Sequence, residues 1–446
     1  GMLPWQELEA VYARTFPKRG RGGKPFQLLY GAQLIKEETG LSDVGVVKAI
    51  RDTPAYQYFL GLPKYEAQKP FDPSTLTLFR RRITTISGEL RQIMGQWTKE
   101  KLRDHFDQEK QMIIDATVAP VNIRFPQDYS LLNQARLILE TDIKELAHQL
   151  QVKIPRTYKR EAHQKFVKFT KKPHRSSKET RAQVRTQLQY VRRDLRYMEE
   201  LLDQGGQLSA AQQNQLETIK TLYAQQTYMY THKTHRVEDR IVSLAQSYVR
   251  PIKRGKARQN TEFGPKIDVT LQDGVVEIER LSFDSFNEST DFQGAIEHYR
   301  QEHGYYPDEV LADKLYRNRA NIKYAKGHGI KIIGPKLGRK PKNVDQAQRR
   351  AENALARDAE NRRGTIERTF AFAKSKCGLG LLRSKTAETA LVEVDTAIVL
   401  TNIATVLQVF SLSLTISVEK DGFKWLFYYQ VRSASDERIK NGAQNQ

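Results

Sequence analysis

Hydrophobic residues near the N-terminus recur at helical spacing. From Phe26 to Thr39, Leu28, Leu29, Ala32, Leu34 and Ile35 fall on one side of a helix, and Gly40 stops it. Ser42 or Asp43 can cap a second helix that runs toward Leu60. Helix, short Gly-containing turn, helix is the outline of a helix-turn-helix, and small helical bundles share it. Lys36, Lys48 and Arg51 could face phosphate or simply water. Pro70 to Pro73 breaks the chain, and Arg80, Arg81 and Arg82 follow in another amphipathic helix through about Asp107.

The pattern changes at Met112. Met112-Ile113-Ile114 is a short continuous apolar run, as expected of a strand buried on both faces, and Asp115 is read as its end. From about Ser130 to Tyr248 long helices are expected, broken at Gly205-Gly206. Strands return after Pro265: Ile267, Val269 and Leu271 alternate with polar residues, Asp273-Gly274 signals a hairpin turn, and Val276 and Ile278 alternate on the return. A helix over Phe292 to Glu302, a strand Glu309-Val310-Leu311-Ala312 ended by Asp313, a helix over Arg319 to Lys326 and a strand over Ile330 to Ile333 follow. A basic loop, Gly334 to Lys342, leads into a long polar helix from about Asp345 to Lys376. A weakly strand-like stretch lies near Lys424 to Tyr429, and there is no internal repeat. Strand, large helical insert, hairpin, helix, strand, helix, strand, long helix is a mixed α/β core interrupted by an insertion.

Charge adds a partner to this picture. The 446 residues hold 73 Lys plus Arg against 52 Asp plus Glu, a net charge of +21, which points to a polyanion. Between Lys153 and Arg196, 15 Lys or Arg stand against Glu161, Glu179 and Asp194, with Tyr158, Phe166, Phe169, Tyr190 and Tyr197 interleaved. That imbalance exceeds ordinary pairing along a helix and favours an arm that tracks phosphates over a solvated helical face. Cys377 is the only cysteine, which excludes an internal disulfide and a Cys-based zinc site. With no basic-then-apolar signal pattern from Gly1 to Glu9, a cytoplasmic, nucleoid-associated protein is expected. The charge-free stretch from Thr396 to Val418 carries Thr, Asn, Gln and Ser and is read as part of a buried helix, not a membrane span.

Two carboxylates share one setting. Asp115 and Asp313 each sit just past a short apolar run, and neighbouring strands can place such residues side by side. Paired carboxylates repel, and a divalent cation between them resolves the repulsion. The long polar helix offers a third: offsets of 4 and 11 put Arg363, Glu367 and Lys374 within roughly 40° of one another on one face. By itself this could equally be ion pairing of Arg363 with Glu367 on a solvated helix. Asp128, Asp268 and Asp284 are further acids whose default roles are capping or surface ones, Asp268 being the reserve candidate.

Several segments, in order, resemble the transposases of bacterial insertion sequences. They are LSDVGVVKAIRDTPAYQYFLGLP (41–63), PFDPSTLTLFRRRI (70–83), IIDATVAPVNIRFPQDYSLLNQAR (113–136), VRPIKRGKARQNTEFGPKIDVTLQDG (249–274), LSFDSFNES (281–289), LADKLYRNRANIKYAKGHGI (311–330) and RRGTIERTFAFAKSKCGLG (362–380). The resemblance is to the group with a helical N-terminal domain and a ribonuclease-H-like catalytic domain. It covers about residues 2–410, and the tail after 411 lies beyond it. It implies a DDE enzyme whose catalytic acids are Asp115, Asp313 and Glu367, holding two Mg²⁺ or Mn²⁺ ions. In the group's signature a Tyr precedes the Arg by three residues. Arg363, Glu367 and Lys374 match, and the Tyr position holds Glu360.

The expected organisation is therefore an all-helical, helix-turn-helix-like DNA-binding domain over 1–107 and a ribonuclease-H-like mixed sheet over 108–410. A basic helical insertion at about 130–250 follows its first strand, and 411–446 is an extension of unknown role. The expected activity is metal-dependent cleavage of double-stranded DNA at element ends and transfer into a target, by a homodimer on DNA. Arg363, Lys374, Lys314, Arg317, Arg319, Lys336, Arg339 and Lys340 are expected to hold DNA. The rival readings are an inactive transposase-derived regulator and a nuclease without strand transfer.

Overall fold

A computed structural model describes residues 3–17, 22–105, 110–253, 261–334 and 346–420, and for 346–353, 355, 356, 359 and 411–420 it describes backbone alone. The N-terminal region is helical: α1 (Trp5–Ala13), α2 (Phe26–Thr39), α3 (Asp43–Asp52), α4 (Pro54–Phe59), α5 (Ser74–Ile83) and α6 (Ser87–Leu102). The α2–α3 turn forms as its residues dictate. Gly40 takes the left-handed conformation that ends α2, and the Ser42 hydroxyl accepts the Gly45 N–H at 3.1 Å to start α3. The apolar stripe of α2 is wider than its spacing suggested: every residue from Phe26 to Lys36 except Gln27 is buried. Lys36 lies 2.9 Å from Glu37 and 3.8 Å from Glu393, so it is committed to an internal charge cluster and does not face phosphate. On α3, by contrast, Val44 and Lys48 are exposed while Val46, Val47 and Ile50 pack inward.

The sheet is mixed, with strand order β5-β4-β1-β6-β7. Its members are β1 (Gln111–Val118), β4 (Lys266–Gln272), β5 (Val275–Ser282), β6 (Glu309–Ala312) and β7 (Lys331–Ile333). β1 is antiparallel to β4 and parallel to β6; β4 and β5 form the expected hairpin, with Asp273 and Gly274 both at positive φ. One expectation is corrected here. Asp115 does not end β1 but lies within it: Ala116, Thr117 and Val118 are buried and continue the ladder with β4 to Lys266. A carboxylate in the run reads as a stop, but only the pairing with β6 stops there, at Ile114–Ala312. A small separate pair, β2 (Pro251–Lys253) and β3 (Thr261–Phe263), was not evident from the sequence pattern.

Four helices lie between β1 and β2: α7 (Asp128–Gln149), α8 (Lys159–Thr170), α9 (Ser177–Asp203) and α10 (Ala210–Thr231). They share a core of their own, with Leu139, Ile143, Val191, Met198 and Leu222 near its centre. After β5 come α11 (Phe292–His303), α12 (Arg319–Gly327), α13 (Gln346–Lys376) and α14 (Ala387–Lys420). Asn318 caps α12 and Gly304 ends α11 in the left-handed conformation.

α14 joins the two ends of the chain. Val392, Val399 and Val406 sit in the same core as Leu8, Ile50, Phe79 and Met94, and Val275 of β5 joins them. Ala387–Phe410 is long and apolar enough to cross a membrane, yet 72% of its apolar window is buried in the protein. Its acids are used internally: Glu393 accepts the backbone N–H groups of Arg383 and Ser384, and Asp395 pairs with Arg91. α14 continues through residue 411, so the boundary expected there falls inside a helix, and the strand-like stretch near 424–429 lies outside the described residues.

Candidate active site

Asp115 and Asp313 stand next to each other because of register. Ile114 and Ala312 are partners in the parallel β1–β6 pair, and each acid is the next residue. Neighbouring strands lie about 4.8 Å apart. Asp313 keeps an extended backbone (φ −68°, ψ 166°), and its carboxylate accepts the Lys314 N–H, which starts a short 3-10 turn, Lys314–Tyr316. Gly334, just past β7, allows this close assembly: a side-chain carbon there would lie 2.1 Å from the Ala312 carbonyl oxygen.

Strand alternation decides which face each acid takes. Ile113, Val269 and Leu311 share a core with Ile366, Phe370 and Ala373 of α13, so Asp115 belongs to the face that α13 covers. Ile366, Phe370 and Ala373 lie at helical spacing, and burying them turns Glu367 toward the rim, where its side chain is 58% exposed. Two arginines fix the helix there. Arg362 donates to Glu309 of β6 at 2.9 Å. Arg363 holds Asp115 Oδ2 at 3.5 Å and Glu367 Oε1 at 3.0 Å, so one guanidinium links the strand acid to the helix acid. The alternative read from spacing, an Arg363–Glu367 pair, is thus present, but it does not lie on a solvated face: the Arg363 side chain is only 18% exposed and reaches Asp115. Among the described residues, no three His, Cys, Asp or Glu side chains stand together as a ready metal site.

The other expected contacts fall in different places. Lys314 and Arg319 are exposed near Asp313, and Lys374 is half-buried on α13. Arg317 is turned inward: it donates to the Ile332 carbonyl, and burial lowers its pKa. Lys336, Arg339 and Lys340 lie outside the described residues. Glu360, in the Tyr position of the signature, is exposed.

The reserve acids have other duties. Asp128, in the first turn of α7, ties that helix to its neighbours, accepting from Gln226 at 2.9 Å and from Arg240 at 2.8 Å. Asp284 is exposed beyond β5. Asp268 pairs with Ala116, one residue out of step with Asp115, and so faces the opposite side of the sheet. It is fully buried there, accepts the Tyr316 hydroxyl at 2.5 Å, and burial pushes its pKa up to about 8. A sealed acid on the far face does not meet Asp115 and Asp313. The Tyr316–Asp268 bond was missed from sequence because nothing in the spacing of the two residues marks a contact.

The basic segment is also largely outward. Of its Lys and Arg residues from 153 to 196, all but Arg181 and Arg193 are exposed. Lys178, Arg185 and Arg192, seven residues apart on α9, form one exposed stripe about 120° around the helix from the buried Val184, Val191 and Met198.

Comparison with known proteins gives matches at both ends. Residues 1–82 match the family model described as Transposase domain (DUF772). Residues 310–407 match the model described as Transposase DDE domain, a span that contains Asp313 and Glu367 but not Asp115. A Rhizobium meliloti protein described as uncharacterized protein ORF8 in nfe locus is 26% identical over 163 residues, covering 36% of this chain and 79% of that protein. No solved structure matches the chain.

Proposed function

We propose that this chain, a transposase of the DDE type, cuts DNA at the ends of its element and joins the freed 3′-hydroxyl to a target through Asp115, Asp313 and Glu367. The observation that carries the reading is the convergence just described: two acids one residue beyond a parallel strand register, and a third drawn toward them from α13 by Arg363. The sheet order, with α13 over one face, supports a ribonuclease-H-like catalytic domain over 108–410, with α7 to α10 as its insertion. The helices up to residue 107 would form the end-recognition domain.

The donor set fits divalent metal. One cationic group already lies within reach of both Asp115 and Glu367, and hard carboxylate oxygens suit Mg²⁺ or Mn²⁺. Bound there, two such ions would activate the attacking oxygen and offset charge developing at phosphorus. The chain's own part is placement. Asp115 and Asp313 are held by strand register, and Glu367 by the burial of Ile366 and Phe370 beside it. Arg363, released from the carboxylates as metal takes them, would turn to the scissile phosphate, with Lys374, Lys314 and Arg319 on the flanking backbone. The exposed stripe of α9 would carry phosphates farther along the duplex, and α3, with Val44 and Lys48 exposed, would face the groove at the element end. Joining two ends calls for a homodimer on DNA.

The test is cleavage of a duplex taken from the DNA flanking the protein's own coding sequence, followed by a strand-transfer gel. Cutting and joining with Mg²⁺ or Mn²⁺ is the expected result. Cutting without joining would reduce the proposal to a nuclease, and specific binding without cutting would reduce it to a regulator.

A further inference from the structure

The transposase reading leaves one fully buried polar pair unused. Asp268 and Tyr316 lie beneath the sheet, on the face away from the candidate active site, each with no exposed surface. Tyr316 is the last residue of the turn that begins at Asp313. Its hydroxyl donates to Asp268 Oδ1 at 2.5 Å, while Asp268 Oδ2 is buried without a hydrogen-bond partner. The backbone of the turn is tied down as well. Asn321 Nδ2 donates to the Tyr316 carbonyl at 2.9 Å and to the Ser289 carbonyl at 2.8 Å. Tyr316 thus runs from the Asp313 turn through a core of Met112, Ile114, Phe292 and Ala312 to β4.

We infer that Tyr316 and Asp268 are positioning residues: they form a strut that fixes the Asp313 turn in register with Asp115 and so sets the metal affinity of the site. The inference rests on the reading of Asp115, Asp313 and Glu367 as metal ligands. The physical reason is leverage. β6 has only four residues, and Asp313 follows the last of them, so strand pairing alone anchors the turn on one side. A buried hydroxyl–carboxyl bond anchors it on the other, and a buried acid left without that donor carries a desolvation cost that favours rearrangement. Groups that orient metal ligands from outside the ligand set typically change metal affinity by about 10- to 100-fold when removed.

The test uses the full chain with Mn²⁺ as the probe, bound metal being read from the loss of the free-ion paramagnetic resonance signal. Tyr316→Phe should weaken Mn²⁺ binding by about 10-fold or more and raise the Mn²⁺ needed for half-maximal DNA cleavage, with the maximal rate recovered at high Mn²⁺. Asp268→Asn, which keeps an acceptor for Tyr316, should bind Mn²⁺ as the wild type does. Tyr299→Phe removes another buried tyrosine hydroxyl from the same core and should leave Mn²⁺ affinity unchanged. Wild-type affinity in Tyr316→Phe, whatever its melting temperature, would overturn the strut while leaving the metal-site reading standing. Equal losses in Tyr316→Phe and Tyr299→Phe would also overturn it, because the effect would then belong to the core at large. A wild type that neither binds Mn²⁺ nor cuts DNA would overturn the metal-site reading and the strut with it.

Discussion

Arg363 is the residue on which the site's charge balance turns. It contacts both Asp115 and Glu367, so it competes with any cation those carboxylates would take. Arg363→Gln should therefore bind Mn²⁺ more tightly than the wild type in the absence of DNA, and cut DNA more slowly at saturating metal. Equal affinity in the two proteins would show that the guanidinium is no competitor. Asp268 gives a pH signature. Its folded pKa is raised from the ordinary carboxylate value to about 8 by burial, so between about pH 4 and pH 8 the folded chain holds a proton that the unfolded chain has released. Its contribution to stability is thus fully present below about pH 4 and is lost as pH rises toward 8. Melting of Asp268→Asn relative to the wild type should move upward across that range, and a constant difference would contradict the assignment. That Asp115 and Asp313 could stand side by side was legible in the sequence, and the β1–β6 register places them so. The opposite facing of Asp115 and Asp268 was not, because it depends on which residues of β1 and β4 pair. Nor did the sequence mark Arg317 as inward, since a basic residue beside a site reads as outward until its backbone partner, the Ile332 carbonyl, is known.

At the level of elements, periodicity served well wherever one face is buried. The hairpin with its Asp273-Gly274 turn, the strand before Asp313 and the long helix bearing Glu367 all lie where the pattern puts them. It failed where burial is complete. α2 looks like a one-sided helix, yet it is enclosed by α1, α3, α5 and α14, and Lys36 is drawn into the interior with it. That makes α3 the better-placed member of the pair to meet DNA. The α9 stripe permits a direct check. Arg185→Ala and Arg192→Ala should each reduce the slope of log K against log salt by about 0.9 if the residue contacts one phosphate. A slope that stays at the wild-type value would leave the stripe as a solvated face.

Over the whole molecule, the N-terminal helices and the sheet are tied together by α14. Its Asn402 side chain donates to the Val276 carbonyl at 3.0 Å and accepts the Val276 N–H at 2.9 Å, satisfying the outer edge of the hairpin from inside the protein. Removing it in Asn402→Ala leaves both backbone groups buried and unpaired, which should cost about 1–3 kcal/mol for each group. A drop in melting temperature with Mn²⁺ affinity intact is the expected outcome, and an unchanged melt would mean the tie contributes nothing. Such a long-range contact has no trace in local pattern, and for the same reason the shared core of α14 with α1 to α6 could not be read from composition. The joint role of Asp115, Asp313 and Glu367 is tested by Mg²⁺- or Mn²⁺-dependent cleavage of a duplex from the flanks of the coding sequence, by the wild type and by Asp115→Asn, Asp313→Asn and Glu367→Gln singly. Cleavage by the wild type is expected, with a loss on the order of 10³-fold or more in each variant and DNA binding retained, because each substitution removes several kcal/mol of charge stabilisation. Cleavage that survives in any one variant would contradict the assignment of that residue, and a wild type that binds the duplex without cutting it would contradict the claim as a whole.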